Sequence, residues 1–377
     1  MNKHITIIGN GFAALTAVQN VRKQAPNAEI SLIAPTNEFI YYPSLIWIPS
    51  GLRTADDLRV DLTKFFDKHK VNYIQGKVTN VTDGGRTVVT ENGDYANDGL
   101  IIATGGRFIK KLPGIEHVIT PCEGIPAAEK IKQRLEQLES GTIAIGFGGN
   151  PKEPSAMRGG PMFEFLLGTD QLLRDQGRRD KFKIVFFSPA PEPGKRLGRD
   201  VPNRLIEKMN KRDIEVHVGH KMLGFEANKV ITEDCEIEAD LILFMPGMTG
   251  PDWLPNSDLP KSAGGLIKAD QYAMVEGLEN TYVAGDSGSF PGPEWQAKQA
   301  HAADLQAVTA VNNLIMSLNG VTDFEAFKHE LICIIDSNKH GIMIKRTESG
   351  GFTLPPLRIM HLAKRYFEWH YLRKYRL

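Results

Sequence analysis

Cysteine is scarce in this chain: Cys122, Cys235 and Cys333 are the only three in 377 residues, and none has a paired spacing. That excludes a disulfide-stapled scaffold and a zinc ribbon, both of which need closely spaced cysteines. A surplus of charge of either sign is missing too, with 45 basic residues against 45 acidic ones. The chain as a whole therefore offers no electrostatic grip on nucleic acid, and no such partner is expected. No run of roughly 18 uninterrupted apolar residues occurs, so no membrane-spanning helix is expected. The chain passes from Lys3 and His4 straight into an apolar run, without the layout of a secretory leader. Its length leaves room for two or three domains around a substantial core.

What is present alternates between strand and helix periods, which predicts an α/β fold. The first unit reads strand 5–8, helix 12–23 and strand 29–33. Between strand and helix stands Gly9-Asn10-Gly11-Phe12-Ala13-Ala14, a Gly-x-Gly-x-x-Ala turn. There Gly9 permits the tight turn, Gly11 lets a phosphate approach, and Ala14 lets the helix lie against the strand. The second strand ends Ala34-Pro35 without the usual ribose-gripping acid, and Asn37 or Glu38 is expected to substitute. Short strands fill 71–102 and run into Ala103-Thr104-Gly105, and a second apolar run ends Ala284-Gly285-Asp286. Taken singly, Thr104-Gly105 suits an ordinary turn and Asp286 a helix N-cap.

A second unit opens at Thr142 and reaches Gly146-Phe147-Gly148-Gly149-Asn150, with further strands near 183–187 and 214–218. A nicotinamide site needs its glycine turn to run directly into a helix. Pro151 and Pro154 interrupt it here, and the helix is expected to begin near Pro161. The loop reads as shaped for something other than NAD(P), or as a plain loop in a degenerate domain. Residues 241–245 are expected to return the chain to the first domain. The expected architecture is two Rossmann-like dinucleotide-binding domains, the second inserted in the first. The first domain takes 1–108 and 245–310, the second 109–244, and an α+β region with amphipathic helices takes 311–377.

The order of residues 9–14, Thr104-Gly105 and Ala284-Gly285-Asp286 resembles the pyridine-nucleotide disulfide reductase superfamily of flavoproteins. The resemblance implies FAD, with Gly9, Gly11, Ala14, Thr104 and Gly105 among the residues that hold it. It also implies that Asp286 bonds the ribityl chain and that backbone groups of Val78, in Gly76-Lys77-Val78, meet the adenine. Lys298 would sit at the flavin pyrimidine edge, where positive charge favours the reduced anionic form; the rival reading is a solvated lysine. More narrowly, Gly159-Gly160-Pro161-Met162-Phe163-Glu164, residues 245–253, Cys333-Ile334-Ile335-Asp336 and the basic, aromatic C-terminus are similar to sulfide:quinone oxidoreductases and flavocytochrome c sulfide dehydrogenases.

In that group a cysteine pair flanks the flavin, captures sulfide-derived sulfur and passes electrons through FAD to quinone, chemistry that needs thiolates. The resemblance places Cys333 at the cysteine position before the C-terminal region and Cys122 at the additional cysteine of the quinone-reducing branch. It places Glu164 beside them as a proton acceptor. The pair partner is expected three residues before Pro161, and Arg158 stands there. The plain reading of Cys122 and Cys333 is a small buried hydrophobe. Cys235, between Asp234 and Glu236, reads as a surface-strand residue.

Residues 358–377 hold six basic side chains, Arg358, Lys364, Arg365, Arg373, Lys374 and Arg376, against the single acid Glu368. Ile359, Leu362, Tyr366, Trp369 and Tyr371 add apolar surface, the composition of a helix lying on an anionic membrane. The rival is a helix that closes the domain or a dimer contact, and a homo-oligomer is left open. The expected protein is a peripheral membrane FAD-dependent oxidoreductase carrying electrons from a sulfide-type donor to quinone, with a cytoplasmic location as the alternative. Two other functions remain in view: a type II NADH:quinone dehydrogenase, and a flavoprotein subunit that serves a cytochrome.

Overall fold

The computed structural model describes residues 3–377. Its frame is a pair of parallel sheets. In the first, the strands lie in the order Thr281–Val283, Gly99–Ile102, His4–Ile8, Glu29–Ala34, Val71–Gln75, all parallel. The central strands are apolar with little alternation, as strands covered on both faces must be. Ile5, Ile7, Leu32, Ile33, Leu100 and Ile101 are at most 1% exposed. Helices Phe12–Gln24 and Ala300–Leu318 pack against each other beside this sheet.

The second sheet orders Ile214–Val218, Phe182–Ser188, Gly141–Phe147 and Leu241–Met245, again all parallel. Residues 241–245 therefore do not return the chain to the first domain: they form the edge of the second sheet, with Leu241 opposite Ile143. The segment Leu-Ile-Leu-Phe-Met is buried throughout, and either parallel sheet would accept so uniform a strand. The helix expected near Pro161 spans Gly160–Asp175, with Pro161 in its first turn, where a missing N–H costs nothing. A hairpin of Glu330–Asp336, Gly341–Thr347 and Gly350–Thr353 precedes the C-terminal helix Arg358–Leu372.

One buried charge holds the second unit together. Asp170 is fully buried on helix Gly160–Asp175 and pairs with Arg174 at 3.1 Å, Arg179 at 2.6 Å and Arg212. These arginines tie the helix to the turn before strand Phe182–Ser188 and to the segment before strand Ile214–Val218. Removing the shared carboxylate strands the guanidinium groups against one another. Asp170→Ala is expected to cost about 3–5 kcal/mol of unfolding free energy, measured by urea denaturation. A loss below about 1 kcal/mol, the range of a surface pair, would contradict this.

Candidate active site

A cavity of about 1950 Å³ is lined by loops of both parallel sheets and by the C-terminal region. Small-ligand sites span roughly 300–1,000 Å³, so a dinucleotide and a second ligand fit together. Where strand His4–Ile8 ends, Gly9 adopts φ +112°, and a Cβ there would meet the Ala103 carbonyl oxygen at 2.2 Å. Only glycine serves at such a position. Gly11 caps helix Phe12–Gln24 with no side-chain cap and no acid in the first turn. A Cβ on Gly11 would meet nothing within 4 Å, so the free N–H groups of the helix start stand beside open space in the cavity wall. That arrangement accepts a pyrophosphate.

Val78, Thr104 and Gly105 line the same cavity, whereas Ala14 is wholly buried beneath it and serves the packing of helix on strand. Of the two candidates for the ribose, Glu38 lines the cavity. Asn37 does not; its amide donates to Asp61 at 3.3 Å and to Thr63 at 3.1 Å. The free helix start, the glycines with space before them and the cavity volume all fit FAD.

Asp286 sits in the turn Gly285–Ser287 on the cavity wall, and its carboxylate pairs with Arg158. Lys298 precedes helix Ala300–Leu318, donates to the Gly288 carbonyl, and lies 5.5 Å from the centroid of the Phe290 ring. Burial pulls its ammonium down to about 8, against the nearby Asp286 and Glu153.

Cys122, Cys333 and Glu164 also line the cavity. Cys122 lies in the turn Pro121–Glu123, and Cys333 lies on strand Glu330–Asp336 opposite Ile344. Burial pushes the Cys122 thiol up to about 11 and the Cys333 thiol up to about 12. Both are therefore thiols at neutral pH in this structure. Arg158 opposes the shift at Cys122, and Lys364 opposes it at both. Cys235 stands apart, its sulfur 3.5 Å from His217 Nδ1.

A buried polar network beside the thiols escaped sequence reasoning. Glu164 Oε1 accepts from the Asp336 backbone N–H at 2.8 Å and from Lys364. Asp336 in turn accepts from Trp47 Nε1 at 3.0 Å and pairs with His361 at 2.8 Å. Burial raises the Glu164 carboxyl to about 7, with Lys364 opposing the shift. Lys364, counted by sequence among the membrane-facing cations, points inward, as does Glu368, which pairs with Arg53 at 2.6 Å. Tyr371 is likewise turned in, its ring 5.2 Å from that of Phe12. The available signal was the i, i+3 spacing of His361 and Lys364, which puts both on one helix face. Ile359, Leu362, Tyr366 and Trp369 stay more than half exposed, at 52–61%.

The model of the pyridine nucleotide-disulphide oxidoreductase family matches residues 3–307. A sulfide-quinone reductase of Aquifex aeolicus is 24% identical over 355 residues, covering 89% of this chain and 81% of the relative. A type II NADH:quinone oxidoreductase of Staphylococcus epidermidis is 24% identical over 375 residues, covering 92% and 91%. The crystal structure of the sulfide:quinone oxidoreductase from Aquifex aeolicus superposes with a TM-score of 0.90 at 23% identity, covering 99% of this chain and 91% of that one.

Glu164 titrates near 4.5 when free and near 7 in the fold. The folded protein keeps this proton where the unfolded chain has lost it, so the contribution is whole below about 4.5 and is lost as pH rises through about 7. The stability advantage of the native protein over Glu164→Gln should therefore shrink between about pH 5 and pH 8, measured by urea unfolding. A difference that stays constant across this window would contradict the assignment.

Proposed function

The chain belongs to the pyridine nucleotide-disulphide oxidoreductase family and is an FAD-dependent oxidoreductase, and from that premise we propose that it carries electrons from sulfide to quinone at a membrane surface. The observation that carries the reading is the convergence of Cys333, Cys122, Glu164 and Arg158 on the cavity that holds the Gly9–Gly11 cradle. A thiol must ionise before it captures sulfur. Glu164, held near neutrality, is placed to take that proton, and Lys364 keeps its carboxyl beside the thiols. Capture of hydrosulfide by the Cys333 thiolate gives a persulfide, one proton and two electrons, for which FAD, when bound, is the acceptor. Arg158 replaces the second thiol and holds Asp286 in place.

The glycine turn of the second unit supports this reading over oxidation of NADH. Asn150 donates to the Met248 and Gly264 carbonyls at 2.9 and 3.0 Å, which folds the loop back, and its helix begins only at Gly160. The C-terminal helix supports membrane docking, with the exposed row of Ile359, Leu362, Tyr366 and Trp369 on one side of it. No helix among the described residues is long and apolar enough to cross a membrane.

Anaerobic mixing with sulfide should bleach the flavin within seconds, and Cys333→Ser should abolish the bleaching. Bleaching by NADH and not by sulfide would overturn the reading in favour of the dehydrogenase. Replacing Ile359, Leu362, Tyr366 and Trp369 together by Ser should release the protein from anionic liposomes in a flotation assay. Retained binding would reject the proposed docking face.

A further inference from the structure

Away from the thiols, the same cavity presents a second titratable cluster that the steps above leave unused. Asp304, on helix Ala300–Leu318, lines the cavity beside Tyr371 of the C-terminal helix. Its Oδ1 accepts from the Thr16 hydroxyl at 2.6 Å and from the Tyr371 hydroxyl at 3.1 Å. Its Oδ2 takes no hydrogen bond from any described residue and is not buried away from the cavity. One oxygen is thus pinned by two donors while the other is free.

We propose that Asp304 is the proton donor to quinone, giving its Oδ2 proton to a quinone oxygen at the end of the cavity lined by Phe12, Phe39, Tyr41 and Tyr371. The proposal rests on the quinone-reductase reading. Quinone reduction takes up two electrons and two protons. The two electrons and one proton come from the two-electron-reduced cofactor, the other proton comes from Asp304, and solvent then reprotonates the carboxylate. The carboxylate left behind keeps two hydroxyl donors on Oδ1, and such bonds strengthen when the acceptor is charged.

Burial raises the Asp304 carboxyl above its ordinary value, while Thr16, Tyr371, Lys374 and His301 oppose the shift. Tyr375 hydrogen-bonds the Tyr371 hydroxyl at 3.5 Å, and Lys374 lies 4.8 Å over the Tyr371 ring. His301 is paired with Glu330 at 2.8 Å, and burial holds the Tyr41 phenol neutral. Among the described residues, no hydrogen bond joins this cluster to Arg158, Glu164 or Lys364. Proton delivery to quinone and proton removal from the thiol therefore use separate groups, which lets both half-reactions run in one cavity without competing for a single acid.

The test uses holoprotein reduced with dithionite, which bypasses the sulfide step, then mixed anaerobically with a short-chain soluble quinone in a stopped-flow instrument. Asp304→Asn keeps an oxygen for Thr16 and Tyr371 but has no proton to give. Flavin reoxidation should slow at least about 100-fold, the usual contribution of a general acid, and lose its pH dependence. The infrared band of the protonated Asp304 carboxyl should also vanish, while that of Glu164 stays. Tyr371→Phe removes one donor to Oδ1 and should move the pH profile of reoxidation to higher pH; this variant decides the matter if Asp304→Asn does not fold. Wild-type rates in Asp304→Asn, or an unshifted profile in Tyr371→Phe, would overturn the proposal. A native protein that quinone fails to reoxidise would instead overturn the quinone reading itself.

Discussion

Two buried carboxylates, Glu164 and Asp336, hold together the elements that close the cavity. Neither is tolerable alone in such surroundings, because a buried charge or polar group without partners costs several kcal/mol. Each draws partners from other elements: Lys364 and His361 on the C-terminal helix, Trp47 from the loop after the first unit, and, for Glu164, the Asp336 backbone; Asp336 also accepts from the Asn338 backbone N–H at 2.8 Å. Helix Gly160–Asp175, strand Glu330–Asp336 and helix Arg358–Leu372 are thereby fixed to one another. Cys333 lies on that same strand and the exposed aromatic row on that same helix. The constraint that satisfies two acids therefore also sets a thiol and an exposed apolar face at fixed positions around one cavity.

The opposite wall depends on a different constraint. Gly9 turns beneath the Ala103 carbonyl with no room for a side chain, and the uncapped helix beyond it leaves its first N–H groups free. Arg158 spans from the second unit to Asp286 on this wall. At the position where a second thiol is expected, the chain thus carries a fixed cation. In the proposed function this divides the work of the thiol end, with Cys333 for sulfur capture, Glu164 for the proton and Arg158 for charge.

Much of this was legible in the sequence, because its signals are local. A strand, a glycine turn and a helix follow one another within residues 4–24, and Pro151 and Pro154 delay a helix by chemistry confined to the loop. Thr104, Asp286, Lys298, Cys122, Cys333 and Glu164 all reach the cavity wall. What stayed hidden depends on partners far apart in the chain. Lys364 looked like one more cation of a basic tail, and only its pairing with Glu164, 200 residues away, reveals it as internal. Tyr371 looked like membrane-facing surface for the same reason, although it packs on Phe12 and bonds Asp304. Strand Leu241–Met245 was misplaced because five buried apolar residues carry no mark of which parallel sheet they join.

In the proposed function a single thiol, Cys333, accepts sulfur in a cavity where Arg158 stands in place of its partner. Peptide mass spectrometry tests it most directly, on holoprotein treated anaerobically with sulfide and then alkylated. The Cys333 peptide should gain the mass of one sulfur atom and the Cys235 peptide none. An unmodified Cys333 in protein whose flavin has been reduced by sulfide would contradict it.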